Sequence, residues 1–567
     1  MKKTQWLKQL IAEEVFVLNT EEQIGISDDP ETWLFDFRRV LLSGEVADTV
    51  ANLFCEQFVD QYPFQIGTLE VAGIPLATTL MNKLYAKGHT DINAFFIRKS
   101  RKKTDLLKMV EGTILKDIPI LLVDDTMNRG NTFWRQLMVL DELGYNVDTV
   151  WSILRYRDQE YYDRFTRRGI TVQSLFELDD FSAVLGDNIH NLVAMTPCPT
   201  PMPFTAEWVF SGAKPSLLYV VPKSQPVLDE KHIYVGADDQ AFRALDQSDG
   251  SVAWEFTIGS TRAKKAVFSS PALHQNTVIF GAYDGNVYCL NKETGEIVWR
   301  FMEADWVGSS PCVAADLGIV FIGLEFGLIR KRGGIVALNL ATGERVWADY
   351  SHPALTHSSP LYITEQQQVV IGSNDGVVRL YDATTGVQLW SFTTFGGADY
   401  VAERDGGYSG GDIKESFAYD PKRDLIIFGS QDGFLYIVDR KTGYLVHHYK
   451  CRFEVRHTPT IYNGRVYFAS ADKHLRAINL DDFSLQFEKN VDDTRIFSRV
   501  AAINDRLYLG TNAARLHELD PETGEQLSYF QATERITNHL VYNAATNRYF
   551  LPTYANQIIC LKREQES

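Results

Sequence analysis

The stretch Leu290-Asn-Lys-Glu-Thr-Gly-Glu-Ile-Val-Trp299 returns, with small changes, at Leu245-Asp-Gln-Ser-Asp-Gly-Ser-Val-Ala-Trp254, Leu338-Asn-Leu-Ala-Thr-Gly-Glu-Arg-Val-Trp347 and Tyr381-Asp-Ala-Thr-Thr-Gly-Val-Gln-Leu-Trp390. Shorter echoes stand at Lys441-Thr-Gly443, Asp482-Phe483 and Glu522-Thr-Gly524. The turn position of the copies falls at residues 250, 295, 343, 386, 443, 483 and 524, with spacings of 45, 48, 43, 57, 40 and 41. A period of roughly 40–50 residues built from short strands is that of a propeller blade, which buries its faces only against neighbouring blades.

Each copy can be read strand by strand. Ser269-Ser-Pro271, Ser309-Ser-Pro311 and Ser358-Ser-Pro360 open inner strands, and an alternating strand such as Thr277–Gly281 follows. The turns Tyr283-Asp-Gly285, Asn374-Asp-Gly376 and Gln431-Asp-Gly433 then supply the positive φ of a hairpin. After the Thr-Gly turn comes the outer strand, whose Trp is positioned to pack on the next blade. An eighth copy, Arg548–Leu561, stops before its outer strand. The spare apolar strand Ser216–Val221 is expected to complete it, because a ring must hide its edges. The count is eight blades, with seven as the alternative. A long insertion between the fourth and fifth blades, residues 393–417, carries Gly396-Gly397, Gly406-Gly407 and Gly410-Gly411 and reads equally as functional or mobile.

These repeats resemble the quinoprotein, or PQQ-like, β-propeller family over about residues 215–565. The dehydrogenases of that fold are exported, bind calcium and carry a vicinal disulfide. This chain has no adjacent cysteines and opens on Met1-Lys-Lys-Thr-Gln-Trp-Leu-Lys followed by acidic Glu13-Glu14, which is not a signal peptide. No PQQ is therefore expected, and an interaction propeller with a protein partner is the favoured reading.

Before about residue 190 the pattern changes. Strand-like Gly67–Ala72, Phe95–Arg98, Pro119–Val123 and Thr149–Leu154 alternate with helical stretches from about Ile74 to Ala86 and Thr132 to Leu143. This is the signature of an α/β domain with a mostly parallel sheet flanked by helices. At Thr196-Pro-Cys-Pro-Thr-Pro-Met-Pro-Phe204 proline takes every second position and fixes an extended chain. The expected organisation is thus an α/β domain over 1–195, a Pro-rich linker over 196–214 and an all-β propeller over 215–567.

The chain has 567 residues, 45% of them apolar, and a net charge of −17. Such a field repels nucleic acid and anionic membranes except where a local basic run reverses it. Its six cysteines, Cys55, Cys198, Cys289, Cys312, Cys451 and Cys560, lie far apart, which points to reduced thiols in a cytoplasmic protein. No run approaches the ~20 apolar residues of a membrane span.

The chemistry concentrates in Ile118-Pro-Ile-Leu-Leu-Val-Asp-Asp-Thr-Met-Asn-Arg-Gly-Asn-Thr132. An apolar strand brings Asp124 and Asp125 to its carboxyl edge, where open α/β sheets bind ligands, and a polar loop then opens a helix. Backbone N–H groups at such a helix start cradle phosphate, while two carboxylates suit ribose hydroxyls or a magnesium ion. A capped turn with a solvated acid pair is the equally weighted alternative from this stretch alone.

This stretch resembles the phosphoribosyl-pyrophosphate (PRPP) signature of type I phosphoribosyltransferases, and residues 12–185 most resemble orotate phosphoribosyltransferase. Phe35-Asp-Phe-Arg-Arg-Val-Leu, Leu69-Glu-Val-Ala-Gly-Ile-Pro-Leu-Ala77, Phe96-Ile-Arg-Lys-Ser-Arg-Lys-Lys, Arg155-Tyr-Arg-Asp and Gly169-Ile-Thr-Val-Gln-Ser-Leu-Phe match further segments in order. The resemblance implies that Asp124 and Asp125 meet the ribose and Mg2+, directly or through PRPP. Asn128, Arg129, Gly130, Asn131 and Thr132 would surround the 5-phosphate, and Glu70, Ala72 and Gly73 would face pyrophosphate. Arg98, Lys99 and Lys102 would act catalytically from a mobile loop, and Arg157 and Asn19 would meet the base. The resemblance also implies a homodimer that shares this loop.

Departures from the family set limits. The loop histidine is missing, since Lys102 precedes Lys103-Thr104-Asp105, and Asn19 follows Phe16-Val-Leu18 where a base-recognising lysine is usual. Glu70 brings a negative charge to the pyrophosphate loop. The run Arg98–Lys103 also reads as a solvated basic loop or a nucleic-acid patch. Two readings stay open: transfer of phosphoribose to an unidentified acceptor with the propeller recruiting it, or a catalytically idle PRPP or nucleotide sensor. A defence or stress setting enters by analogy of architecture.

Overall fold

The structure is a computed structural model that describes residues 2–18, 33–71, 73–98, 109–186, 200–201, 204–212, 224–259, 266–328, 331–398, 400, 409–492 and 494–563. The chain divides into two compact units, the first spanning Met1–Pro201 and the second taking nearly all of the rest.

In the first unit a short antiparallel pair, β1 (Phe16–Leu18) and β2 (Trp33–Phe35), precedes the main sheet. That sheet contains β3 (Gln65–Leu69), β4 (Ala94–Ile97), β5 (Val110–Glu111), β6 (Ile120–Met127), β7 (Thr149–Arg155) and β8 (Thr171–Glu177) in the order β5-β4-β3-β6-β7-β8. All pairs are parallel except β4 with β5. Every residue of β3 is buried, as expected for a central strand covered on both faces.

Helices α1 (Lys2–Leu10), α2 (Gly44–Phe58), α3 (Gly73–Ala86) and α4 (Asn131–Glu142) flank this sheet. In α2, buried Val46, Val50, Leu53, Phe54 and Phe58 recur at three- and four-residue spacing and form one apolar face. The Phe54 ring lies 5.0 Å from the Trp151 ring of β7, whose indole N–H donates to Gln57 Oε1 at 3.0 Å. The helix is thus fixed to the sheet by burial and by one polar tie.

The second unit is an eight-bladed β-propeller. Its sheets span residues 227–257, 272–302, 312–352, 361–393, 418–450, 460–490 and 501–531, and the eighth combines 541–563 with Phe204–Ser211. The repeated Trp does what its position predicts. Trp254, Trp299, Trp347 and Trp390 donate their indole N–H groups to Lys292, Leu340, Ala383 and Arg440 carbonyls of the next blade at 2.7–3.0 Å. A Cβ built on Gly295, Gly343, Gly386 or Gly443 would come within 2.6–2.7 Å of the same four rings. Glycine therefore serves twice there, supplying φ of 71–74° and leaving room for the indole. The sixth blade has Phe483 at this position, with φ 58°.

The closing strand differs from the expectation. Phe204–Ser211 lies within the stretch read as linker, yet it pairs antiparallel with Gln557–Arg563 as the outer strand of the eighth blade. Its Trp208 donates to Gln247 O of the first blade at 3.2 Å and packs over Gly250, reproducing the seam between the other blades. Ser216–Val221, expected in that role, lies outside the described residues. Much of the insertion does too, at 399 and 401–408, while Thr394, Gly396, Gly397 and Gly411 pack together beside Asp432. Among the described residues no helix is long and apolar enough to cross a membrane.

Candidate functional site

The carboxyl ends of β3 and β6 lie side by side, and the loops leaving them build the site. β6 runs on to Met127, so both aspartates lie in its last turn of pleat rather than beyond its end. Asp125 N–H donates to Asp124 Oδ1 at 3.0 Å and Thr126 N–H to Asp125 Oδ1 at 2.8 Å, which fixes both carboxylates relative to the backbone. Burial pushes the Asp125 carboxyl above its ordinary range, while the Thr126 amide, Asp124, the Thr126 hydroxyl and the charge of Arg38 pull it down. The alternative read from the sequence has a solvated acid pair; the structure half-buries both side chains.

The loop after β6 is held from behind. Gly130 takes φ 71°, where a Cβ would meet Met127 Cε at 2.9 Å and Phe165 Cε2 at 3.0 Å, and Asn131 then opens α4. Tyr162 donates its hydroxyl to the Met127 and Asn128 carbonyls at 2.8 and 2.7 Å. Buried Arg164 donates to the Arg129 carbonyl and to Asn131 Oδ1, with its guanidinium 5.1 Å from the Trp134 ring. Arg157 donates from Nε to Asn128 Oδ1 at 3.2 Å and stacks 5.0 Å from Tyr161. The candidate phosphate loop is therefore a braced turn at a helix start, the arrangement that presents backbone donors to an anion.

The loop after β3 comes close to β6 because of two small residues. Thr68 donates its hydroxyl to Val123 O at 2.8 Å, and Gly73 packs so tightly on it that a Cβ would fall 1.8 Å from Thr68 Oγ1. The Glu70–Val71 peptide bond is cis. Arg98, at the end of β4, lies 3.8 Å from Glu70 Oε2 and 3.6 Å from Glu111 Oε1. The acid that would oppose pyrophosphate thus has a cation beside it.

The structure brings Glu70, Gly73, Asp124, Asp125, Asn128, Arg129, Gly130, Asn131 and Thr132 to the loops at one sheet edge, with Arg98 and Arg157 beside them. Asn19, Ala72, Lys99 and Lys102 lie outside the described residues. Sequence reasoning passed over Arg38, Tyr162 and Arg164. Arg38 stands within the quoted Phe35-Asp-Phe-Arg-Arg segment, which could have flagged it; nothing local marks Tyr162 or Arg164, whose hydrogen-bond partners are 33 to 35 residues away.

A parallel sheet with a diacid strand end, a braced phosphate-type loop and a glycine-gated second loop defines a phosphoribosyltransferase-like unit, joined in one chain to a PQQ-like propeller. The family model described as outer membrane protein assembly factor BamB matches residues 216–299, 264–394 and 374–561, together more than half of the chain. The chain belongs to that family through its propeller, and to the orotate phosphoribosyltransferase family through its first unit.

The orotate phosphoribosyltransferase of Corynebacterium glutamicum (strain R) is 30% identical over 148 residues, covering 26% of this chain and 78% of that protein. Quinohemoprotein alcohol dehydrogenase ADH IIB of Pseudomonas putida is 25% identical over 230 residues, 34% of this chain and only 33% of the dehydrogenase. Among solved structures, BamB from Moraxella catarrhalis superposes with a TM-score of 0.51 at 16% identity, over 63% of this chain and 99% of that one, which shows the shared fold.

Proposed function

We propose that the first unit binds PRPP with Mg2+ and transfers its phosphoribosyl group to a nucleobase-like or macromolecular acceptor that the propeller recruits. The observation that carries this reading is the half-buried pair Asp124 and Asp125 next to the braced Asn128–Thr132 loop. In the transfer an acceptor atom forms a bond to ribose C1 while the bond from C1 to the pyrophosphate oxygen breaks. The diacid would hold the ribose hydroxyls and the metal, whose charge helps pyrophosphate leave. The loop would hold the 5-phosphate, and Arg157 would face the base. A specialised role such as prokaryotic defence or stress response fits the fusion by analogy of architecture alone.

One observation favours a second reading, an idle PRPP or nucleotide sensor: Arg98 lies beside Glu70 and Glu111, which engages a cation that catalysis would need. Titration calorimetry of the full chain with PRPP, with and without Mg2+, tests the shared premise. Binding is expected to require Mg2+ and to be lost in Asp124→Asn/Asp125→Asn with the melting temperature unchanged. Mg2+-independent binding, or binding that survives in the double variant, would sink the assignment. Pyrophosphate release on adding an acceptor separates enzyme from sensor.

A further inference from the structure

The propeller supplies its own internal comparison, because eight inner strands reach the centre of the ring at equivalent repeat positions. In the first, second, third, fourth and seventh blades the first of these positions is a buried serine: Ser224, Ser269, Ser309, Ser358 and Ser498. Each accepts the N–H of a glycine in its own blade, Gly236, Gly281, Gly323, Gly372 or Gly510, at 2.9–3.3 Å. The next position forms a belt running from blade to blade. Gln225 N–H donates to Ser270 Oγ, Ser270 N–H to Ser310 Oγ, Ser310 N–H to Ser359 Oγ and Ser416 N–H to Thr458 Oγ1, at 2.9–3.1 Å. The fold therefore asks for a small hydroxyl at both positions.

Five of the eight blades break this rule with a larger polar side chain. Glu415, His457 and Asn538 replace the first serine, and Gln225, Arg499 and His539 replace the second. All six line a single cavity of about 590 Å³ within the propeller, as do Lys414 and Arg456, each one residue earlier in its repeat. A volume of that size lies within the range of small-molecule sites, roughly 300–1,000 Å³.

These replacements are costly for the fold. Burial pushes His457 and His539 down to about 3, with the nearby arginines adding to it, and lifts Glu415 to about 7. His457 is 8% exposed, and its Nε2 is buried with no hydrogen-bond partner among the described residues. Arg499, which lines the cavity, donates its Nε to Thr460 Oγ1 at 3.3 Å, and its two terminal amino groups make no hydrogen bond among the described residues. The other cations are already matched: Lys414 with Asp412 at 2.8 Å, and Arg456 with Glu454 at 3.4 Å. Glu415 is the acid whose charge acts on Arg499, but no hydrogen bond or close ion pair joins the two among the described residues, and the planar donors of the Arg499 fork suit a phosphate or carboxylate.

We propose that this central cavity is a binding site for a small organic oxyanion, a phosphate ester or a polycarboxylate, held by the Arg499 guanidinium with His457 as a hydrogen-bonding partner. The site is independent of the PRPP reading, since it is built entirely from propeller residues.

The test uses reversion to the repeat. Arg499→Ser and His457→Ser install the residue type that sister blades already carry, so both variants are expected to fold with a melting temperature equal to or above that of the parent. Calorimetry of the full chain with glycerol 3-phosphate and, separately, citrate is expected to show binding of at least one, and the two arms separate phosphate from carboxylate recognition. Affinity should fall about tenfold or more in Arg499→Ser. Three results would overturn the proposal: neither probe binding the full chain, affinity unchanged in Arg499→Ser, or a clear drop in melting temperature on reversion, which would make these residues structural.

Discussion

Gly73 shows how much of the candidate site rests on single atoms. Its missing Cβ is the space occupied by Thr68 Oγ1, and that hydroxyl ties β3 to β6 through Val123 O. In Gly73→Ala the new methyl must displace the hydroxyl and strand a buried carbonyl acceptor, at a cost of about 1–3 kcal/mol. The same displacement shifts the β3 loop against the diacid, so the PRPP affinity proposed for this site should fall together with stability. Thr68→Ala removes the clashing atom in advance. The pair should therefore be less destabilised than the sum of the two single changes, as measured by urea unfolding in a double-mutant cycle. Simple additivity would mean that the loop relaxes around the methyl and that Gly73 does not gate the site.

Among the elements, the closing strand Phe204–Ser211 is unlike every other outer strand because its pairing partner, Gln557–Arg563, lies about 350 residues away in the chain. Elsewhere the outer strand follows its neighbour through a tight turn, so a loosened seam is still held by the hairpin. Here Trp208, with its bond to Gln247 O and its packing on Gly250, is a main tie across the seam. Trp208→Ala and Trp347→Ala remove similar contacts, each worth about 3 kcal/mol. Only the first should release a strand, because reclosing it must repay a long loop's entropy. Hydrogen exchange should accelerate across 204–211 and 557–563 in Trp208→Ala while remaining local in Trp347→Ala; equal patterns would count against this account. The sequence reading missed this strand for a physical reason. The other Trp-bearing blades announce themselves by a Thr-Gly or Asp-Gly turn before the Trp, and Phe204–Ser211 has a run of alternating prolines there instead. Trp208 was visible, but without its turn it read as part of the linker. The diacid strand and its loop were legible because their chemistry is contiguous in sequence. Arg38 and Arg164 reach the site only through tertiary packing, and no local pattern encodes that.

On the scale of the propeller, the buried titratable groups couple stability to pH with a definite sign. His457 and His539 sit near 3, and His352 is also held well below the ordinary histidine value, mainly by burial and then by the charge of Arg379. In the unfolded chain all three return to about 6.5. As pH falls below that value the unfolded state takes up protons that the folded state refuses, so stability drops until about pH 3. Glu415 works against this, because its raised value, about 7, lets the folded state hold a proton that the unfolded chain releases above about 4.5. Its contribution is present at low pH and fades as pH rises through 7. Between about pH 6.5 and 4.5 these three histidines, with His447 also lowered by burial, oppose Glu415 and His474, whose values are raised, and the net result is a loss of stability on acidification. The melting temperature of the propeller transition should fall steadily from pH 7 to pH 5. In His457→Ser the fall should be shallower, and in Glu415→Ser steeper, since that variant removes a group that favours acid. Parallel pH profiles for all three proteins would show that these side chains reach water freely, and would contradict the desolvation on which both this sign and the cavity's charge balance rest.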